Sequence, residues 1–133
     1  MAAEQDLIEL MAECSKDPLK FVLAAFPWAE AGSELQDKLG PRQWQKDVLT
    51  EIGVRLKMGE SPDTAVKMAV ASGHGIGKSA LVAWLVLWAM STRENTRGVV
   101  TANTANQLAT KTWPEVSKWY RMLICKHWFN MQA

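Results

Sequence analysis

Residues 65–90 run AVKMAVA, SGHGIGKS, ALVAWLVLWAM in direct succession. The first block is a short apolar run of strand type, the second a glycine-rich turn, the third an apolar helix. A strand that feeds a helix through such a turn opens an α/β layer. Gly73, Gly75 and Gly77 let the backbone curl tightly and bring its N–H groups close to a bound anion. The helix behind them adds N-terminal N–H donors and the positive end of its dipole. This is the pattern of a P-loop, expected to cradle a nucleotide triphosphate. Ser72, Gly73, His74, Gly75, Ile76 and Gly77 would form the cradle. Lys78 would set its ammonium on the β- and γ-phosphates as the catalytic cation, and the Ser79 hydroxyl would ligate Mg²⁺. The usual pattern has glycine where Ser72 stands. His74 reads as an exposed loop histidine with no part in proton transfer. The plain alternative is a strand-to-helix turn with a solvated Lys78.

Upstream, Gly40-Pro41 opens a helix over residues 42–58, with Trp44, Val48, Ile52 and Leu56 four apart on one face. Residues 4–14 carry Leu7, Ile8 and Met11 at helical spacing. Asp17-Pro18 reads as an N-cap followed by proline in the first turn of a helix that Pro27 ends. Residues 29–40 are a polar connection. Downstream, Val99-Val100-Thr101 is a second short strand, and Asn103 or Thr104 opens a helix that includes Gln107. Thr112 and Glu115 have the spacing of a capping box, with Pro114 in the first turn. The fold expected is α/β, a parallel sheet flanked by helices. A helical segment over residues 1–40 would precede a P-loop domain begun over residues 41–133.

Composition narrows the function classes. Fifteen Lys and Arg against fourteen Asp and Glu leave a net charge of +1, so no global field recruits nucleic acid or an anionic membrane. The longest apolar stretch, residues 80–90, is too short to cross a bilayer, and the acidic N-terminus lacks the form of a signal peptide. A cytoplasmic protein is expected. Cys14 and Cys125 have neither zinc-binding nor redox spacing and read as two idle thiols of a reducing compartment.

Three segments add a resemblance: residues 42–49 (RQWQKDVL), 71–88 (ASGHGIGKSALVAWLVLW) and 99–107 (VVTANTANQ). Together they resemble the ATPase domain of the large subunit of tailed-phage terminase, the motor that packages DNA into capsids. The resemblance implies a P-loop NTPase of the helicase-like (ASCE) type that takes ATP and Mg²⁺. Its implied partners are double-stranded DNA, the terminase small subunit and the portal, and intact relatives work as rings in the host cytoplasm. It makes Trp44 and Gln45 the adenine candidates, the ring by stacking and the carboxamide by hydrogen bonding. A core position for Trp44 beside Val48 is the alternative. Asn103, Thr104 and Gln107 match a turn near the nucleic-acid path in such motors, and a helix N-cap with exposed polar neighbours explains them equally.

The sequence departs from that family in two respects. Gly73 stands where many large terminases have arginine, and no hydrophobic run ending in Asp-Glu follows the P-loop. Phosphoryl transfer needs carboxylates to hold the metal and orient water. The chain is therefore expected to bind ATP and hydrolyse it poorly, as the first part of a terminase. An inactive prophage remnant and a fragment of another helicase-like ATPase are the other readings. The seven tryptophans include Trp113, Trp119 and Trp128, interleaved with Lys111, Lys118, Arg121 and Lys126. Core packing is favoured for these rings over nucleic-acid stacking, because duplex DNA hides its base faces.

Overall fold

The computed structural model describes residues 2–58, 77–93, 97–101 and 104–131. Four helices come first: α1 (Ala2–Glu13), α2 (Pro18–Ala25), α3 (Gln43–Lys57) and α4 (Lys78–Thr92). Then α5 (Ala105–Gln107) runs through a π-helical stretch, Leu108–Thr112, into α6 (Trp113–Met122), and a 3₁₀ turn, Lys126–Trp128, follows. Local chemistry sets several of these boundaries. The Asp17 carboxylate accepts from the Lys20 N–H at 3.1 Å, with Pro18 beginning the helix behind it. Thr104 caps α5 by accepting from the Gln107 N–H at 3.0 Å.

Helix α4 is the centre of the molecule and packs against α1, α2 and α6. Its Ala80, Leu81, Ala83, Trp84, Leu87, Trp88 and Ser91 are buried. Trp84 meets Trp119 edge-on at 5.1 Å and Trp28 at 5.9 Å, and Trp119 also meets Phe26 at 5.1 Å. Each such ring contributes on the order of 2 kcal/mol by leaving water. Most of the rings also satisfy their N–H groups. Trp28 donates to the Val22 carbonyl, Trp88 to the Cys14 carbonyl and Trp119 to the Glu115 carboxylate. The buried Trp84 Nε1 has no hydrogen-bond acceptor among the described residues, and edge-on ring packing surrounds it. Gly53 lets α3 approach the start of α2: a Cβ there would lie 3.3 Å from the Lys16 carbonyl oxygen.

The expected sheet is the main correction. The described residues contain no β-strand, so they do not form the parallel-sheet α/β fold of a helicase-like P-loop NTPase. Val99, Val100 and Thr101, read as a strand, are irregular backbone with Val99 90% exposed. A strand holds only as a rung of a ladder, and no described segment pairs with these three. The other expected strand, residues 65–71, lies outside the described residues. The all-round apolarity of residues 80–90 does mark a central helix, but other helices enclose it where a sheet was expected. The fully buried row of α3 is Gln45, Leu49 and Gly53, while Trp44, Val48, Ile52 and Leu56 are half-buried beside it. Thr112 does stand at the N-cap of α6, with Pro114 and Glu115 in its first turn. Its side chain makes no capping hydrogen bond, because α5 runs on through a π turn in which the Trp113 N–H reaches the Leu108 carbonyl. That wider turn accommodates Pro114, which has no N–H to give. Among the described residues no helix is long and apolar enough to cross a membrane.

Candidate functional site

Gly77 is the hinge of the site. It sits at the N-cap of α4 with φ +92° and ψ +21°, a left-handed conformation open to glycine and costly for other residues. Its carbonyl accepts the first bond of the helix, from the Leu81 N–H at 3.1 Å. The N–H groups of Ser79 and Ala80 precede that bond in the first turn, where the helix itself supplies no acceptor, and Gly77 has no side chain with which to cap it. Lys78 and Ser79 are exposed. First-turn donors, a lysine and a hydroxyl at a positive helix end form a surface suited to phosphate oxygens. Ser72, Gly73, His74, Gly75 and Ile76 lie outside the described residues.

A second helix N-terminus meets the first here. Gln45, in the first turn of α3, is only 3% exposed. Its Oε1 accepts from the Arg42 N–H at 2.8 Å, and its Nε2 donates to the Gly77 carbonyl at 2.9 Å across 32 residues of chain. The Gly77 carbonyl thus takes two donors, one from its own helix and one from α3. A Cβ on Gly77 would collide with the Gln45 Nε2, so conformation and packing both require glycine. Trp44 is half-buried and packs against the core. Of the sequence-derived site residues, the structure thus brings Gln45 and Gly77 into contact and sets Lys78 and Ser79 directly after them. The Arg42–Gln45 cap was not foreseen. Its signal is a glutamine three residues into a helix, able to reach back to the N-cap N–H.

The remaining candidates stand elsewhere. Thr104 is exposed, with its hydroxyl engaged in capping; Gln107 is half-buried, and Asn103 is outside the described residues. Among the described residues no group of three or more His, Cys, Asp or Glu gathers as a metal site. Cys14 and Cys125 are free thiols in the core. Burial pushes the Cys14 thiol up to about 11 and raises that of Cys125, which donates to the Ser91 hydroxyl. Both remain protonated and unreactive at neutral pH. In comparisons with known proteins, the chain matches no protein-family model, no curated protein and no solved structure.

Proposed function

We propose that this chain grips the triphosphate of Mg·ATP at the start of α4, as the nucleotide-binding part of a DNA-packaging motor of the terminase large-subunit type. In that reading Gly77 and the first-turn N–H groups hold phosphate oxygens, Lys78 neutralises the terminal phosphates and Ser79 reaches the metal. Trp44 offers a face for the base. The partners are double-stranded DNA, a small subunit and a portal, and the site of action is the bacterial cytoplasm. The observation that carries the proposal is the hydrogen bond between Gln45 and Gly77. It joins two of the segments whose combination resembles a terminase, at the residue before Lys78 and Ser79.

Titration with Mg·ATP, followed by calorimetry and by urea denaturation, tests the proposal. Binding should stabilise the fold by about 2.7 kcal/mol at a hundredfold excess over Kd, and Lys78→Ala should abolish this. A chain that neither binds Mg·ATP nor is stabilised by it overturns the proposal.

A further inference from the structure

The charges of the chain are sorted by position. Residues 2–17 carry five carboxylates against Lys16 alone, and residues 97–131 carry five Lys or Arg side chains against Glu115 alone. The acidic stretch is α1 and the turn after it, and the basic stretch holds α6 and the turns on either side. Both helices pack against α4. The bonds from His127 and Trp128 to Glu4 tie the start of α1 to the turn after α6. An acidic and a basic surface thus lie side by side on one molecule.

Each helix keeps a charged face in solvent. Helix α1 buries Leu7 and Met11 and leaves Asp6 and Glu9 exposed, with Ile8 49% exposed between them. Helix α6 buries Val116 and Trp119 and leaves Lys118 half-exposed and Arg121 exposed. Among the described residues none of these four charges is in an ion pair. Glu9 meets the Gln5 carboxamide at 3.4 Å, and Lys118 lies over the Trp119 ring. Glu115, the carboxylate nearest the two cations in sequence, is taken by the Trp119 Nε1 at 2.9 Å. Asp6 and Glu9 are three residues apart, as are Lys118 and Arg121, so each pair rises about 4.5 Å along its helix. From this match of sign and spacing we infer that the surface pairs with a second copy of the chain. The Asp6–Glu9 face of one protomer lies on the Lys118–Arg121 face of its partner.

Two complementary faces side by side suit a twofold axis, because the contact that one protomer gives it also receives, and the pair closes as a dimer. A net charge of +1 leaves little long-range repulsion between copies. Exposed ion pairs contribute little each and are screened by salt, so the dimer is weak and salt-sensitive. Its charges act chiefly to select the partner and fix the register.

Sedimentation equilibrium of the full chain tests the inference. Wild type should dimerise reversibly at low salt, with a dissociation constant about tenfold larger at high salt. Lys118→Glu/Arg121→Glu and Asp6→Lys/Glu9→Lys should each be monomeric, because each variant carries one sign on both faces. An equimolar mixture of the two should dimerise again, since each then meets its complement, and circular dichroism checks that both variants are folded. A wild type that stays monomeric at low salt overturns the inference, as does a dimer that salt leaves unchanged. A mixture of folded variants that stays monomeric overturns it too. A monomeric wild type that binds a duplex oligonucleotide, with binding lost in Lys118→Glu/Arg121→Glu, would give the basic face to a polyanion instead. The salt series needs wild type alone and decides even where a variant does not fold.

Discussion

The two ends of α4 are built by opposite means. From Trp84 onward the helix packs among rings and aliphatic side chains, with Trp84 edge-on to Trp28 and Trp119, and Phe26 edge-on to Trp119. At its start the Lys78 and Ser79 side chains are exposed, and the buried Gln45 carboxamide holds the Gly77 backbone in place. Apolar burial is non-directional and shared among many atoms, so it supplies stability without fixing any one atom sharply. A hydrogen bond to a left-handed glycine contributes little net stability and sets the direction of the backbone around it. The contrast separates what holds the molecule together from what shapes the candidate site, and each half can be disturbed alone.

The largest effect is expected at the aromatic end. Trp84→Ala removes a ring that is only 2% exposed from the centre of the cluster, and cavities of this kind cost about 3–5 kcal/mol. That is a large share of the stability of a domain this size, so the midpoint of urea denaturation should fall steeply. Triphosphate affinity, measured where the variant is still folded, should stay at the wild-type value. A parallel loss of affinity would break the comparison, because it would mean that the packing of α4 also sets the geometry of its first turn.

A smaller loss of stability, with a larger loss of binding, is expected at the other end. Gly77→Ala places a Cβ in a left-handed turn, costing roughly 1–2 kcal/mol, and drives it into Gln45. In a Gln45→Ala background the collision is removed and only the backbone strain remains. A double-mutant cycle should therefore show coupling between positions 45 and 77, as expected for residues in contact. Additive effects would show that the two helix starts are independent and would detach Gln45 from the site.

Much of the helical layout is legible in the sequence, and the reasons are local. Asp17-Pro18, Pro27, Gly40-Pro41 and Thr104 act through their own backbone chemistry within a turn, and the structure has helix boundaries at or next to each. The enclosure of α4 is not local. Residues 80–90 show that the helix is covered on nearly all sides, but a sheet and a set of helices leave the same apolar signature in it. The three residues read as a strand, Val99 to Thr101, have β-branched side chains and no partner strand among the described residues, and propensity cannot supply one. The site divides the same way. Gly77, Lys78 and Ser79 can be picked out from sequence because glycine and lysine at a helix start are adjacent in the chain. The bond from Gln45 spans 32 residues, and no local rule carries that far.

The smallest effect tests whether a third region behaves like either end of α4. Near the N-terminus of α1, the Glu4 carboxylate accepts from the Trp128 Nε1 and from the His127 Nε2, at 3.0 Å for the latter. It joins the start of the chain to the 3₁₀ turn near its end. The bond from Trp128, then that from His127, holds the Glu4 carboxyl below its ordinary value of 4.5. A carboxyl depressed in the folded state adds stability above its unfolded pKa, and that contribution is lost as pH falls through the folded value. Glu4→Gln retains an oxygen for the Trp128 N–H and removes the charge. The variant should therefore be slightly less stable than wild type at neutral pH, and the gap should close as pH falls below 4.5. The group is exposed to solvent, so added salt should narrow the gap as well. Urea midpoints of the two proteins across an acid series, at low and high salt, give the answer. A gap that persists at acid pH would mean that the clasp works through packing of the Trp128 ring, like the aromatic end of α4. A gap that closes with both acid and salt makes it a third kind of element, held by charge at the surface.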